Sequence, residues 1–232
     1  MQSWSRLTRL LILSERRGEI MKKGSLQIAV VGVMQTNCYL LSNMETKETI
    51  IVDPGDQGNH IVDFCLKEEL RPVDILLTHG HFDHIGGVKE LVDEFCVPVY
   101  AGEKESELLV EPSLNLSAKF QRERVAVVPD VLLEDGEVFS LAGFQITAIH
   151  TPGHTGGGMC YYLPEENILF SGDTLFQGTY GRTDLPTSSF AQLKDSMINK
   201  VFVLSEETNV FPGHGKSTTI GVEKKENPIW VD

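Results

Sequence analysis

The chain has 232 residues, 41% of them hydrophobic and 23% charged, an ordinary soluble composition with enough apolar side chains for a sizeable core. Its 20 Lys+Arg against 33 Asp+Glu give a formal charge of -13, which argues against a nucleic-acid or anionic-membrane partner. No Lys/Arg-rich run relieves that charge, and no Pro/Gly/Ser-rich linker divides the sequence.

Residues 1–23 read as an N-terminal extension, and 24–232 as one domain. The apolar run Leu10-Leu11-Ile12-Leu13 is shorter than the roughly 7–15 residues of a secretory core. Arg6, Arg9, Arg16 and Arg17 suggest a transit peptide, but Glu15 and Glu19 argue against one, and Met21 is an expected alternative start. Cys38, Cys65, Cys96 and Cys160 are widely spaced among apolar neighbours, so all four are expected as buried thiols in a reducing, cytoplasmic compartment.

Short apolar runs predict strands at Leu26 to Val33, Cys38 to Leu41 and Thr49 to Val52, the last ending in the turn Asp53-Pro54-Gly55. Ile61, Phe64 and Cys65 mark a helix that Pro72 closes, and a strand at Asp74 to Leu77 follows. Val88, Leu91, Val92 and Phe95 recur at i, i+3, i+4 and i+7, the pattern of an amphipathic helix. Residues 97 to 101 read as a strand, and Gly102 to about Arg124 as a weakly patterned helix or excursion. Strands are then expected at Val125 to Val128, Glu137 to Leu141, Phe144 to Ile149, Met159 to Leu163 and Ile168 to Ser171. Glu134-Asp135-Gly136 and Ala142-Gly143 supply hairpin signals. A helix from about Ser188 precedes a last strand at Asn209 to Phe211.

Thr78-His79-Gly80-His81-Phe82-Asp83-His84 places four metal-binding side chains in six residues, between a strand and a helix. At a strand end residues i and i+2 point the same way, so His79 and His81 can share an ion, while the turn into the helix lets Asp83 and His84 face a neighbouring one. His154, Asp173 and His214 each follow a strand-like run in a Gly-containing loop. Alone each is a weak signal, but together they supply donors for two ions. Nitrogen and carboxylate donors without thiolate suit Zn²⁺, Fe or Mn²⁺, with zinc expected. His150 reads as a packing or supporting residue, His60 as solvated, and Asp53 as either a turn residue or a support for a metal-bound histidine.

His79-x-His81-x-Asp83-His84, His154, Asp173 and His214, taken in order, resemble the metal signature of the metallo-β-lactamase-fold superfamily. Gly181-Arg182-Thr183-Asp184-Leu185-Pro186 and Pro212-Gly213-His214-Gly215 further resemble the short bacterial glyoxalase II-like hydrolases. That resemblance implies an α/β fold, a four-layer αββα sandwich. It also implies one metal at His79, His81 and His154, another at Asp83, His84 and His214, and Asp173 between them. Two ions about 3.5–4 Å apart would turn a shared water into hydroxide near neutral pH. Asp83 is the expected catalytic residue, orienting that hydroxide.

The expected activity is thioester hydrolysis, with S-lactoylglutathione or a related small molecule as substrate. Arg182 is the candidate for binding a substrate carboxylate, with a structural ion pair to Asp184 as the alternative. Asp184 stands where the resemblance calls for a tyrosine. The nearest rival is a mononuclear Fe(II) persulfide dioxygenase using His79, His154 and Asp173. A β-lactamase is disfavoured because that branch usually varies the first motif and carries Cys or Ser near the second metal, where this chain has Asp, and a non-catalytic metal-binding module because all seven donors are present. Oligomeric state is not encoded in these patterns.

Overall fold

The computed structural model describes residues 10–11, 23–121 and 123–231. The expectations for residues 1–23 lie outside the described residues except at Leu10–Leu11 and Lys23. Leu10–Leu11 (β1) pairs antiparallel with the next strand. The first sheet continues with β2 (Gly24–Val31), β3 (Thr36–Asn43), β4 (Glu48–Val52), β5 (Arg71–Leu76), β6 (Val99–Gly102) and β7 (Val131–Leu133), in that spatial order. Its neighbours are antiparallel as far as β4 and parallel from β4 to β7. Helices α1 (Gly58–Lys67), α2 (Phe82–Ile85), α3 (Val88–Phe95), α4 (Ser106–Val110) and α5 (Ser117–Phe120) fall between these strands in sequence.

The second sheet is built from β8 (Val138–Leu141), β9 (Phe144–His150), β10 (Met159–Leu163), β11 (Ile168–Gly172), β14 (Asn209–Pro212) and β15 (Thr218–Thr219). A small hairpin, β12 (Leu175–Phe176) with β13 (Thr179–Tyr180), leaves it after β11. Helix α6 (Phe190–Ser196) is capped by the Ser189 side chain, and α7 (Ile220–Glu226) by Thr219. Within this sheet only β11 and β14 run parallel.

Strand alternation explains the layering. In β3 Tyr39 and Leu41 face the other sheet, while Cys38 and Leu40 face helices α1 and α3 together with Ile61, Cys65 and Leu91. In β10 Met159, Tyr161 and Leu163 enter the inter-sheet core, and Cys160 packs outward with Leu193 and Met197 of the α6 segment and Ile220. Strands buried on both faces read as continuous apolar runs, which is why they were visible in the sequence. Tyr161, Phe144 and Phe170 are almost fully buried between the sheets, each contributing roughly 1.5–3 kcal/mol. The result is helix on sheet on sheet on helix, the expected αββα sandwich.

Several local expectations are corrected. Val125 to Val128 is not a strand: Val125 and Val127 pack on the first sheet's outer core without a ladder, Val128 is exposed, and the edge strand is Val131–Leu133. Helix α1 ends at Lys67, and Pro72 lies inside β5 rather than closing the helix. The first long strand stops at Val31, with Val33 exposed in the following turn. Glu134-Asp135-Gly136 is a crossing between the two sheets, not a hairpin, whereas Ala142-Gly143 is a hairpin turn with φ of 48° and 82°. Cys96 is exposed because it occupies the left-handed C-cap of α3, at φ 53°; the other three cysteines are buried thiols. No helix among the described residues is long and apolar enough to cross a membrane.

Candidate metal centre

The parallel pairings β4 with β5 and β11 with β14 bring strand C-terminal ends to one edge of the sandwich. Asp53 follows β4, His79 follows β5, Asp173 follows β11 and His214 follows β14. The loop between β9 and β10 adds His154, and the start of α2 adds Asp83 and His84. Tyr39 and Asn37 of the first sheet bind the His214 loop: the Tyr39 hydroxyl donates to the Pro212 carbonyl at 2.6 Å, and Asn37 Nδ2 donates to the Pro212 and Gly215 carbonyls. Gly213 is required there, since a Cβ would collide with Asp173 Oδ1 and the His84 ring.

Donor atoms of three overlapping triads lie within 4.8 Å of one another: His79, His81 and His154; His79, His84 and Asp173; Asp83, His84 and His214. All seven sequence-expected side chains are thus brought together: the middle triad shares His79 with the first and His84 with the third, and Asp173 lies in it. His81 Nδ1 stands 3.0 Å from His154 Nε2, and His84 Nε2 stands 3.4 Å from His214 Nε2. His154 Nε2 and His84 Nε2 are each 3.4 Å from an Asp173 oxygen, and His214 Nε2 is 3.3 Å from Asp83 Oδ2. Such spacings match the edges of a tetrahedron around an ion with bonds of about 2.0–2.1 Å.

The donors fit divalent metal ions on a second count. His79 Nε2 and Asp173 Oδ1 are buried with no hydrogen-bond partner, a costly arrangement for a site that holds no cation. Electrostatics point the same way. Burial opposes the charged form of Asp173, yet His84, His154 and His214 hold its pKa well below the ordinary range. Asp83 is held at about 2 against its burial, chiefly by His84 and His214. Burial keeps His79 well below its ordinary value and His81 at about 3, with neighbouring histidines reinforcing both shifts, so both rings are neutral and ready to ligate.

Surrounding groups set ring orientation. Asp53, 2% exposed and at φ 49°, accepts from Thr78 N at 2.8 Å, from Thr78 Oγ1 at 2.6 Å, and from His84 Nδ1 at 2.9 Å. It therefore serves both as a turn residue and as the support that turns His84 Nε2 toward the centre. His154 Nδ1 donates to the Arg182 carbonyl at 2.9 Å, which aims Nε2 inward. Thr36 Oγ1 donates to Asp83 Oδ2 at 3.1 Å.

The Arg182 guanidinium is exposed and makes a bidentate pair with Asp184, at 2.6 and 2.8 Å. His150 stays outside the cluster, with Nε2 3.1 Å from the Gly156 carbonyl, and His60 is exposed on α1. Sequence reasoning missed Glu105, buried in a segment whose neighbours Glu103, Lys104 and Glu107 are exposed, so no periodicity marked it. It also missed the Asn37 and Tyr39 contacts, which depend on tertiary packing alone.

Comparison with known proteins agrees with this geometry. A solved B3 metallo-beta-lactamase, BLEG-1, is 40% identical with a TM-score of 0.84, over 89% of this chain and all of that one. The di-iron-bound form of TTHA1623 is 36% identical with a TM-score of 0.76, covering 86% of this chain and 97% of that one. A hydroxyacylglutathione hydrolase of Haemophilus influenzae, GloC, is 34% identical over 88% of this chain and 97% of its own length. Residues 31–214 match the metallo-beta-lactamase superfamily, to which this chain belongs.

Proposed function

We propose that the protein is a hydroxyacyl-thioester hydrolase working with two divalent metal ions, and that S-lactoylglutathione or a related thioester is its substrate. The observation that carries this reading is the convergence of seven donors, with buried unpaired acceptors among them, at one sandwich edge. Bound ions would supply an acidified water and polarise the thioester carbonyl. The hydrolase named for Haemophilus influenzae, similar along nearly its whole length, supports the substrate class.

In this reading His79, His81 and His154 hold one ion, Asp83, His84 and His214 the other, and Asp173 lies between them. Asp83, held ionised, accepts a hydrogen bond from the attacking water or hydroxide and so orients it, while bound metal ions would supply the acidity that releases the water's proton to solvent. Arg182 binds a substrate carboxylate by exchanging its exposed partner Asp184, a pair worth about 0–1 kcal/mol and therefore replaceable.

The test combines metal quantification with hydrolysis of S-lactoylglutathione by wild type, His81→Ala and Asp173→Ala. Metal-dependent turnover lost in both variants is expected; an unchanged rate in either refutes the site. Iron-dependent oxygen uptake on glutathione persulfide without thioester cleavage would instead establish the mononuclear dioxygenase. A second reading, β-lactam hydrolysis, draws on the 40% identity to a solved B3 enzyme. Penicillin or carbapenem turnover exceeding thioester turnover would select it.

A further inference from the structure

Glu105 is a buried carboxylate, 1% exposed, that takes no part in the chemistry above. It ends a one-turn 3-10 helix, Glu103–Glu105, that leads from β6 into α4. Oε1 accepts the backbone N–H of Gly80 at 2.9 Å, and Oε2 accepts the backbone N–H of Gly157 at 2.9 Å. Gly80 is the residue between His79 and His81, and Gly157 lies three residues beyond His154 in the same loop. A single side chain from the first half of the sandwich thus bridges the two loops that supply one set of donors.

Packing closes the same joint. A Cβ on Gly157 would collide with the backbone at Lys104 and Glu105, and one on Gly80 would press on Leu108 and Leu109. Both loops are therefore seated against the Glu105 segment, with the carboxylate as the polar contact between them. Each Glu105 oxygen accepts one of these N–H groups, and a hydroxyl oxygen keeps a lone pair for that when the carboxyl is neutral, whereas a carboxamide would turn its NH2 donor toward one of the two amides. Burying such a group is costly unless its hydrogen bonds are needed, so simple space-filling does not account for it.

We propose that Glu105 is a positioning residue of the metal centre: by clamping the Gly80 and Gly157 amides it fixes the distance between the His79–His81 loop and His154, so that the three rings converge on one ion. The inference rests on the metal-site reading and is independent of the substrate.

The experiment uses Co²⁺ as the probe, with affinity from chelator competition and ligand geometry from the visible spectrum, on wild type and Glu105→Gln. Leu163→Ala, a fully buried core change at the opposite end of β10 from Met159, controls for destabilisation. Glu105→Gln is expected to lose about 10–100-fold in affinity with an altered cobalt spectrum, while Leu163→Ala keeps both. Equal affinity and an unchanged spectrum in Glu105→Gln overturn the proposal, as does an equal loss in Leu163→Ala. A wild type that binds no Co²⁺ overturns the metal reading, and this inference with it. Should Glu105→Gln fail to fold, hydrogen exchange on the metal-free wild type decides: slow, matched exchange of the Gly80 and Gly157 amides is expected, and exchange at open-loop rates overturns the clamp.

Discussion

Replacing Glu105 by Gln removes one titrating proton from the interior, and its effect on stability can be worked out. Burial lifts the Glu105 carboxyl to about 7, although its amide hydrogen bonds pull the other way. In the unfolded chain a glutamate titrates near 4.3. The folded protein therefore keeps this proton over a range where the unfolded chain has released it. The stabilisation is complete below the unfolded value and is lost as pH rises through about 7. Between pH 5.5 and pH 8 the loss from this one group amounts to about 2 kcal/mol. Urea unfolding of the metal-free wild type and Glu105→Gln at both pH values gives the number as a difference of differences, in which the other titrating groups cancel. A wild-type-minus-variant stability that stays constant within about 0.5 kcal/mol would refute the reasoning, and would mean that the two amides hold the carboxylate ionised throughout.

Metal affinity should rise with pH. Burial disfavours the charged forms of His84 and His214, yet surrounding carboxylates, Asp173, Asp53 and Asp83 at His84 and Asp83 and Asp173 at His214, raise both pKa values. Their protonated forms stabilise the metal-free fold at low pH and compete with the ion, so Co²⁺ affinity measured at pH 6.5 and pH 8 should be tighter at pH 8; a flat or inverted dependence contradicts this. Asp53→Asn leaves no ionised acceptor for His84 Nδ1 and should weaken metal binding by about 10–100-fold, read by the same competition; wild-type affinity would remove Asp53 from the site's support. Arg182→Ala should raise KM for a carboxylate-bearing thioester several-fold with little change in kcat, whereas a matching fall in kcat alone would assign Arg182 elsewhere. Tyr161→Phe, which deletes the 2.7 Å bond to the Leu77 carbonyl, should cost about 1 kcal/mol in thermal unfolding without altering metal stoichiometry.

What the sequence disclosed follows from how far each signal reaches along the chain. His79, His81, Asp83 and His84 were legible because strand-end geometry and a short helix place them within a few residues. The long strands β3, β10 and β11 were legible because burial on both faces leaves unbroken apolar runs. Val125 to Val128 carried the same apolar signal but lacks a strand partner, which no local pattern encodes. Cys96 was misjudged because a left-handed helix cap overrides the apolar company it keeps in sequence. Asp53 stayed ambiguous since both of its roles are real. Glu105 was hidden because its partners, Gly80 and Gly157, are backbone amides 25 and 52 residues away.

The donors span residues 79 to 214, and the last is delivered by β14, which reaches its place only by pairing with β11 from some forty residues earlier. During synthesis the ribosome must therefore release nearly the whole second half before Asp83 and His84 acquire His214 as a partner. The His79, His81 and His154 set closes sooner, once the β9–β10 hairpin is out. The donor sets are thus completed in the order of synthesis: His79, His81 and His154 can meet on a half-finished sandwich, whereas Asp83, His84 and His214 meet only after β14 has joined β11.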